Sequence, residues 1–404
     1  MKEFTVSDLT SAISRNDAAV RLRVELQPVG GPGDKFFPPT YEGGAYAEEH
    51  RVVGERDSKA VLVNSVPAEA ARLEAALKQG IEANEVEFPT VALDVTGFGR
   101  LLELDLPHRL FDAYLVHSEV NGVAFWETEP GKEIHAFQRP NATGLYRHSP
   151  VTLLFGGWDT HALDDKSRSW RYRYPRALVS EIVAYDVSEP GTGTSSKGDP
   201  FNISGTLYEG KNGGWTPNQA EARRDDKGNP VKYVKPDGKA VDAGKPSPLG
   251  LGQITPSLVS DDGKPKPGGY TAREIRQIAV LSLPALRRLR FPEKPGGANN
   301  ERRNQAGRVV LAALGVYALA QAHAEGFWLR SRCHLVANGT PDLEVVHADG
   351  SVEKMAVPTP KAAAEALKAA VAAAEAVGLV WRKEPLVAVP SKPLADLIRQ
   401  QGIQ

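Results

Sequence analysis

From Val20 to Gln27 apolar and polar residues alternate without a break: Val20, Leu22, Val24 and Leu26 fall on one side, Arg21, Arg23, Glu25 and Gln27 on the other. A period of two is the mark of a strand with one buried and one open face, so the chain is committed early to a sheet covered on one side. A second alternating run, FWLRSRCHLV, sets Phe327, Leu329, Ser331, Cys333 and Leu335 against Trp328, Arg330, Arg332 and His334. It reads as one more strand with a basic face. Between them, the loop GGPGDKFFPPTYEGG follows the first strand; its glycines permit unusual backbone angles, and Pro38 and Pro39 stop further pairing.

Helical signals are interleaved with these strands. Val66, Ala70, Leu73 and Leu77 recur on one face, with Ser65 as N-cap, Pro67 in the first turn and Gly80 as the stop. PHRLFDAYLVHSEV is expected to be helical, and so is the stretch from Thr271, where Thr-Ala-Arg-Glu matches a capping box and Ile275, Ile278 and Ala279 form a stripe up to Pro284. Val309, Ala313, Val316 and Ala320 mark another helix, and Ala363, Leu367, Ala370, Ala374 and Val377 a last one. TVALDV, LLELDL, VTLLFGGW and ALVSEIVAYDV read as strands. From Glu209 to Gly269 Gly, Pro, Lys and Asp dominate and apolar periodicity disappears, which predicts an insertion protruding from the core. The whole predicts an α+β fold, one sheet face covered by helices, in the manner of ferredoxin-like RNA-binding domains.

Composition narrows the function. With 41% hydrophobic and 25% charged residues among 404, a sizeable core is available. The 49 Lys and Arg against 50 Asp and Glu leave a net charge of -1, which argues against a general nucleic-acid coat and makes any polyanion site local. MKEFTVSDLT lacks the basic start and apolar run of a secretory signal, and no apolar run is long enough to span a bilayer, so a cytoplasmic protein without a membrane partner is expected. Cys333 is the single cysteine, and no Cys/His cluster has zinc spacing; no cofactor or metal is expected.

The candidate chemistry is therefore polyanion binding. Arg21 and Arg23 on the first strand and Arg330, Arg332 and His334 near the end form a basic platform if their strands are neighbours, with Trp328 available to stack on a base; the alternative is a solvated or internally paired face. Arg287, Arg288, Arg290, Lys294, Arg302, Arg303 and Arg308 lie in a stretch with only Glu293 and Glu301 as acids. Lys166, Arg168, Arg171, Arg173 and Arg176 are interleaved with Trp170, Tyr172 and Tyr174, a pattern that suits a single strand. GGPGDK lacks P-loop spacing, which excludes nucleotide hydrolysis by that device, yet its amides and Lys35 suit an RNA phosphate, as do Ser195, Ser196 and Lys197 in GTGTSSKGDP. His148, Asp159 and His161 meet no metal-ligand spacing, and Ser180 beside Glu181 sits in no nucleophile elbow.

The ordered stretches LQPVGGPGDKFFPPTYEG, LPHRLFDAYL, TLLFGGWDTH, RALVSEIVAYDV, LSLPALRRLRFP and LRSRCHLV resemble the RAMP-superfamily backbone subunits of type I-U CRISPR systems, also called type I-G, over roughly residues 20 to 337. The resemblance implies a single RAMP-type RNA-binding domain over residues 1–404, with an RNA-recognition-like core and large insertions, of which 209–269 is the candidate for a thumb-like element. It implies a non-enzymatic role: gripping CRISPR guide RNA, packing against copies of itself in a helical filament, joining other subunits of a type I interference complex and meeting target DNA through guide pairing. His108 and Arg109 in LPHRLFDAYL join Lys35, Arg171, Arg173, Arg176, Ser195, Ser196, Lys197, Arg287, Arg288, Arg302, Arg303, Arg330 and Arg332 as RNA-binding candidates. Some type III relatives cut target RNA with an aspartate in the loop after the first strand. Asp34 occupies a comparable loop, so a target-cleaving ribonuclease is the alternative, followed by an unrelated ferredoxin-like RNA-binding protein.

Overall fold

The computed structural model describes residues 2–158, 173–236, 238, 240–259, 263 and 268–401. Two compact units result, one formed by Met1–Val187 with Thr271–Gln404, the other by Ser188–Tyr270.

In the first unit nine strands form an antiparallel sheet among the described residues: β1 (Ala19–Pro28), β2 (Glu48–Val53), β3 (Arg56–Asn64), β4 (Leu178–Val187), β5 (Ala272–Ser282), β6 (Phe327–Arg330), β7 (Cys333–Ala337), β8 (Asp342–Val346) and β9 (Val352–Ala356). Their spatial order is β6-β7-β1-β5-β4-β3-β2, with β8 also on the outer edge of β1 and β9 beyond it. Helices α1 (Val6–Ser14), α2 (Val66–Glu82), α3 (Glu301–Ala324) and α4 (Pro360–Glu375) complete the core. The chain leaves β1, passes through α2, returns as β4, turns back as β5, passes through α3 and returns as β7. β1 and β4 thus run parallel with β5 between them, the split β-α-β arrangement. This is an α+β fold with a ferredoxin-like core.

Alternation dictates what the sheet buries. Val20, Leu22, Val24 and Leu26 of β1 are buried, and so are Ile275, Gln277, Ala279 and Leu281 of β5. Burying an aliphatic side chain of this size stabilises by roughly 1.5–3 kcal/mol. α2 starts at Ser65, whose side chain accepts from the Ala68 amide, and α4 starts at Thr359 in the same way on the Ala362 amide. α3 is buried on nearly all sides from Gly307 to Ala322, packed on the sheet and against α1, α2 and α4. A Cβ on Gly307 would lie 2.6 Å from the Phe291 ring, so only glycine allows that approach.

Several expectations are corrected. The stretch from Thr271 is the strand β5, not a helix: buried Gln277 breaks the visible apolar alternation and leaves Ile275, Ile278 and Ala279 looking like a stripe. VTLLF is the helix Pro150–Phe155, all six residues buried; a short continuous apolar run does not distinguish the two periods. PHRLFDAYLVHSEV is no single helix. A 3-10 turn at Arg109–Phe111 gives way to Ala113–Val116, because the Asp112 carboxylate caps the Tyr114 amide and starts a new helix, and Ser118–Val120 is a strand. That strand belongs to a second sheet of five, in the order Gly99–Leu102, Val91–Val95, Leu386–Pro390, Ser118–Val120 and Val123–Ala124. FWLRSRCHLV is a hairpin of β6 and β7, turned at Arg332 with a left-handed φ of 61°.

Two buried carboxylates organise the interior. Glu69, 0% exposed, accepts from Asn64 Nδ2 at 2.7 Å, Ser180 Oγ at 2.7 Å, Gln277 Nε2 at 2.8 Å and Arg72 Nε at 3.0 Å, which ties α2 to β3, β4 and β5. Burial acts to raise its pKa, but the Arg72 guanidinium and these donors outweigh burial and hold it below the usual value. Glu103, also 0% exposed, has only the Ser149 hydroxyl at 2.7 Å and the Val91 amide at 3.3 Å, and burial pushes its pKa up to about 8.

The second unit is threaded with short pairings: Ser195–Lys197 with Ile254–Ser257, and Tyr208–Glu209 with Trp215–Thr216. It contains the 209–269 stretch and starts upstream of it, at Ser188. On the first unit Val187 and Ala272 are register partners, so the chain leaves and re-enters the sheet at one point.

Replacing Ser188–Thr271 with a short Gly/Asn turn should accordingly leave the first unit folded, with a single cooperative thermal transition within a few degrees of the parent, as loop entropy changes slowly with length. Loss of the transition in circular dichroism would show that the sheet needs the second unit. Glu103 makes a pH prediction. Between its ordinary 4.5 and about 8 the folded state keeps a proton that the unfolded chain has released, so stability falls as pH rises through that window. Glu103→Gln, which mimics the protonated form, should stabilise by something on the order of 2–4 kcal/mol at pH 8.5 and by little near pH 4.5 in urea titrations.

Candidate nucleic-acid interface

The site begins where β1 ends. Gly31 N donates to Pro28 O at 2.9 Å and Asp34 N to Gly31 O at 3.1 Å, closing a tight turn. The Asp34 carboxylate folds back to accept from the Lys35 amide at 2.8 Å, and a Cβ on Gly30 would stand 2.0 Å from it, so glycine is required there. Phe36 is buried and anchors the loop. The next residue docks on the hairpin: Phe37 N donates to Arg332 O at 3.0 Å, and the Arg332 guanidinium lies 3.9 Å above the Phe37 ring. At the other end of the loop Val29 N donates to His334 O at 3.0 Å. The glycine loop is thus stitched at both ends to β7 and its turn.

This places Lys35, Arg332, His334 and Trp328 on one edge of the sheet, all exposed. Trp328 is 71% exposed and is the register partner of His334, so an aromatic and an imidazole sit side by side on the open face. Arg330 has a different duty. Its Nη1 donates to Val63 O at 2.9 Å and its Nη2 to Asn64 Oδ1 at 3.0 Å, clamping the hairpin to the end of β3. Asn64 in turn donates to Glu69, so a polar chain runs from the buried carboxylate to the hairpin.

The expected platform including Arg21 and Arg23 does not form. β1 meets β7 only at Leu26–Pro28, whereas Arg21 pairs with Glu344 at 2.6 Å and Arg23 stands opposite Asp342, so acids of β8 neutralise that end of the strand. The basic stretch after β5 also divides. Arg303 is 4% exposed and donates to Phe291 O at 2.7 Å and Val377 O at 3.3 Å; Arg308 is buried on Glu301; Arg287 donates to Asp17 O at 2.7 Å. Arg288, Arg290, Lys294 and Arg302 are at least partly open to solvent. Arg109 is buried against Glu74, its Nη2 at 3.1 Å, with Arg176 close enough to influence the same carboxylate. For Arg109 and Arg303 the RNA-facing assignment is corrected: both guanidiniums are spent on internal acceptors. His108 and Arg176 are exposed.

Arg171, with Lys166, Arg168, Asp159 and His161, lies outside the described residues. Arg173 and Ser195 belong to the short strands Arg173–Tyr174 and Ser195–Lys197, and only their backbone is described. Ser196 and Lys197 are exposed on the second unit, where Lys197 donates to Gly250 O. His148 is buried on Glu133 at 2.7 Å, and among the described residues no three His, Cys, Asp or Glu side chains gather as metal ligands. Among the described residues no helix is long and apolar enough to cross a membrane. Phe37 was not foreseen as part of the site; the doubled aromatic directly after Lys35 is its sequence signal.

The family model described as CRISPR-associated protein GSU0053 (Cas_GSU0053) matches residues 20–189, from the start of β1 to just past the end of β4. No curated protein matches the chain. The family match supports a CRISPR-associated role, in a segment that carries the glycine loop and the strands β1 to β4 of the sheet that presents it.

Proposed function

We propose that this chain is a guide-RNA-binding backbone subunit of a type I CRISPR interference complex, oligomerising along the guide and not itself an enzyme. The observation that carries the reading is the glycine loop stitched to the β6–β7 turn, with Lys35, Arg332, His334 and Trp328 exposed along one sheet edge. Loop amides and two cations suit a phosphate backbone, while the flat aromatic face suits an unpaired base of any identity. A protein that grips RNA this way leaves sequence recognition to base pairing, as a guide requires. The second unit is the proposed protruding, thumb-like element, and target DNA is met through the guide.

A balanced total charge supports the same reading. Where cations are used, acids are held away, and elsewhere they pair: Arg21 with Glu344, Arg51 with Glu181, Lys354 with Asp342. Such neutralised faces are suited to packing against further copies of the chain.

For the triple variant Lys35→Ala, Arg332→Glu, Trp328→Ala, RNA affinity should fall at least about tenfold at moderate salt, and the slope of log affinity against log salt should flatten by roughly 0.7 for each RNA phosphate that is no longer neutralised. Its thermal midpoint should stay near the parent value. Arg303→Ala should do the reverse, lowering the midpoint by several degrees because two buried carbonyls are left without their donor. Equal RNA affinity in the triple variant and parent would remove this edge from the reading.

Asp34 has its own test. Its carboxylate is turned back onto the Lys35 amide, a loop-forming duty. With guide-loaded complex, complementary RNA and magnesium, parent and Asp34→Ala should give the same uncut target. Regularly spaced cuts in the parent that vanish in the variant would promote the ribonuclease alternative.

A further inference from the structure

A cleft of about 430 Å³ opens between the helices Glu129–His135 and Thr143–His148 and the segment Val380–Glu384 that follows α4. Two of its lining side chains are more than nine-tenths buried and each keeps a polar atom without a partner: His148, 4% exposed, at Nδ1, and Trp381, 8% exposed, at Nε1. Native interiors seldom leave such groups unpaired, and an unpaired one calls for a ligand, an ion or water. The other nitrogen of His148 is taken: Nε2 lies 2.7 Å from Glu133 Oε2, while Arg147 donates to the second oxygen at 2.7 Å, so the Glu133 charge is already spent.

The rim adds cations. Arg382 is held by its backbone N–H on Arg147 O at 3.0 Å and by its Nε on Glu384 O at 2.8 Å, and neither its Nη atoms nor Lys383 Nζ has a partner among the described residues. Glu129 and Glu384 also line the opening, but both are exposed, so water screens them and they are free to turn away. The buried donors have no such freedom. Trp381 can only donate, and His148, with Nε2 on a carboxylate, becomes a donor at Nδ1 once it takes a proton.

We infer that this cleft is an anion site for a phosphate group, with His148 and Trp381 as inner donors and Arg382 and Lys383 at the rim. Three separate donor sources suit a tetrahedral oxyanion with several acceptor oxygens. Binding is proton-linked. Burial holds the empty His148 below its ordinary pKa; Glu133 pulls it up, and Arg382 and Arg147 push it down. An anion beside Nδ1 stabilises the imidazolium, so affinity rises as pH falls. The site is independent of the sheet edge that grips RNA in the proposed function, and failure of either leaves the other standing.

The test follows His148 by histidine side-chain NMR between pH 5 and 8 in sulfate, whose charge is constant over that range, against chloride at equal ionic strength. Sulfate should raise the apparent pKa of His148 by about one unit, equivalent to about tenfold tighter binding to the imidazolium form. The shift should vanish in Arg382→Ala/Lys383→Ala, whose rim positions leave folding intact, and shrink in Trp381→Phe. Equal titration in sulfate and chloride, or a shift that survives in the double variant, overturns the site. Adenosine monophosphate and a short 5'-phosphorylated RNA then distinguish the sources: displacement of sulfate by the mononucleotide assigns a free ligand, displacement by the RNA alone assigns a strand end. Displacement by neither overturns phosphate as the class.

Discussion

Everything in the first unit is arranged around one carboxylate that has no access to water. Glu69 binds Asn64, Ser180, Gln277 and Arg72 at once, so three strands and a helix share a single buried charge. Removing one partner of such a buried pair typically costs about 3–5 kcal/mol, because the charge left behind has nowhere to go. The same group explains why β5 buries a glutamine among aliphatics and why Ser180, at first sight a candidate for chemistry beside Glu181, is an internal donor. Arg72 carries the network onward to Ala322 O on α3 and lies over the Phe327 ring, and Asn64 carries it to Arg330. The geometry of the exposed edge is thereby set from inside the core.

Much of the fold was legible because its period is local. β1, α2 and α4 follow from strict alternation, a Ser65 cap with Pro67, and an alanine stripe ended by Gly378. The misreadings share a cause: the deciding interaction is tertiary or a single cap. Gln277 looks like an exposed residue until Glu69 is known to face it, and Asp112 looks helical until it is seen capping Tyr114. Arg332 gives no turn signal, since a left-handed non-glycine is invisible in a sequence.

The candidate site divides along the same line. Lys35, Arg332 and Trp328 were legible as residue types, but their meeting depends on Phe37 docking against the hairpin. Arg109 and Arg303 were legible as cations only. An arginine side chain is long enough to bring its guanidinium to buried carbonyls or to a buried glutamate, and composition cannot say which end of that reach is used. A run of basic residues therefore overstates the surface it offers.

The single point at which the chain leaves and re-enters the sheet bears on how the protein folds. Val187 and Ala272 must meet to start the central hairpin, yet about eighty residues separate them, and closing such a loop costs roughly 2–3 kcal/mol more in chain entropy than closing a tight turn. The bond from Gly191 N to Gly269 O lies just inside that junction. Once the second unit has formed it, the two strands start as near neighbours and the entropic cost has already been met. A domain inserted between paired strands thus serves as a folding clamp, and the order of events during synthesis favours it, because its last residue leaves the ribosome before β5 does.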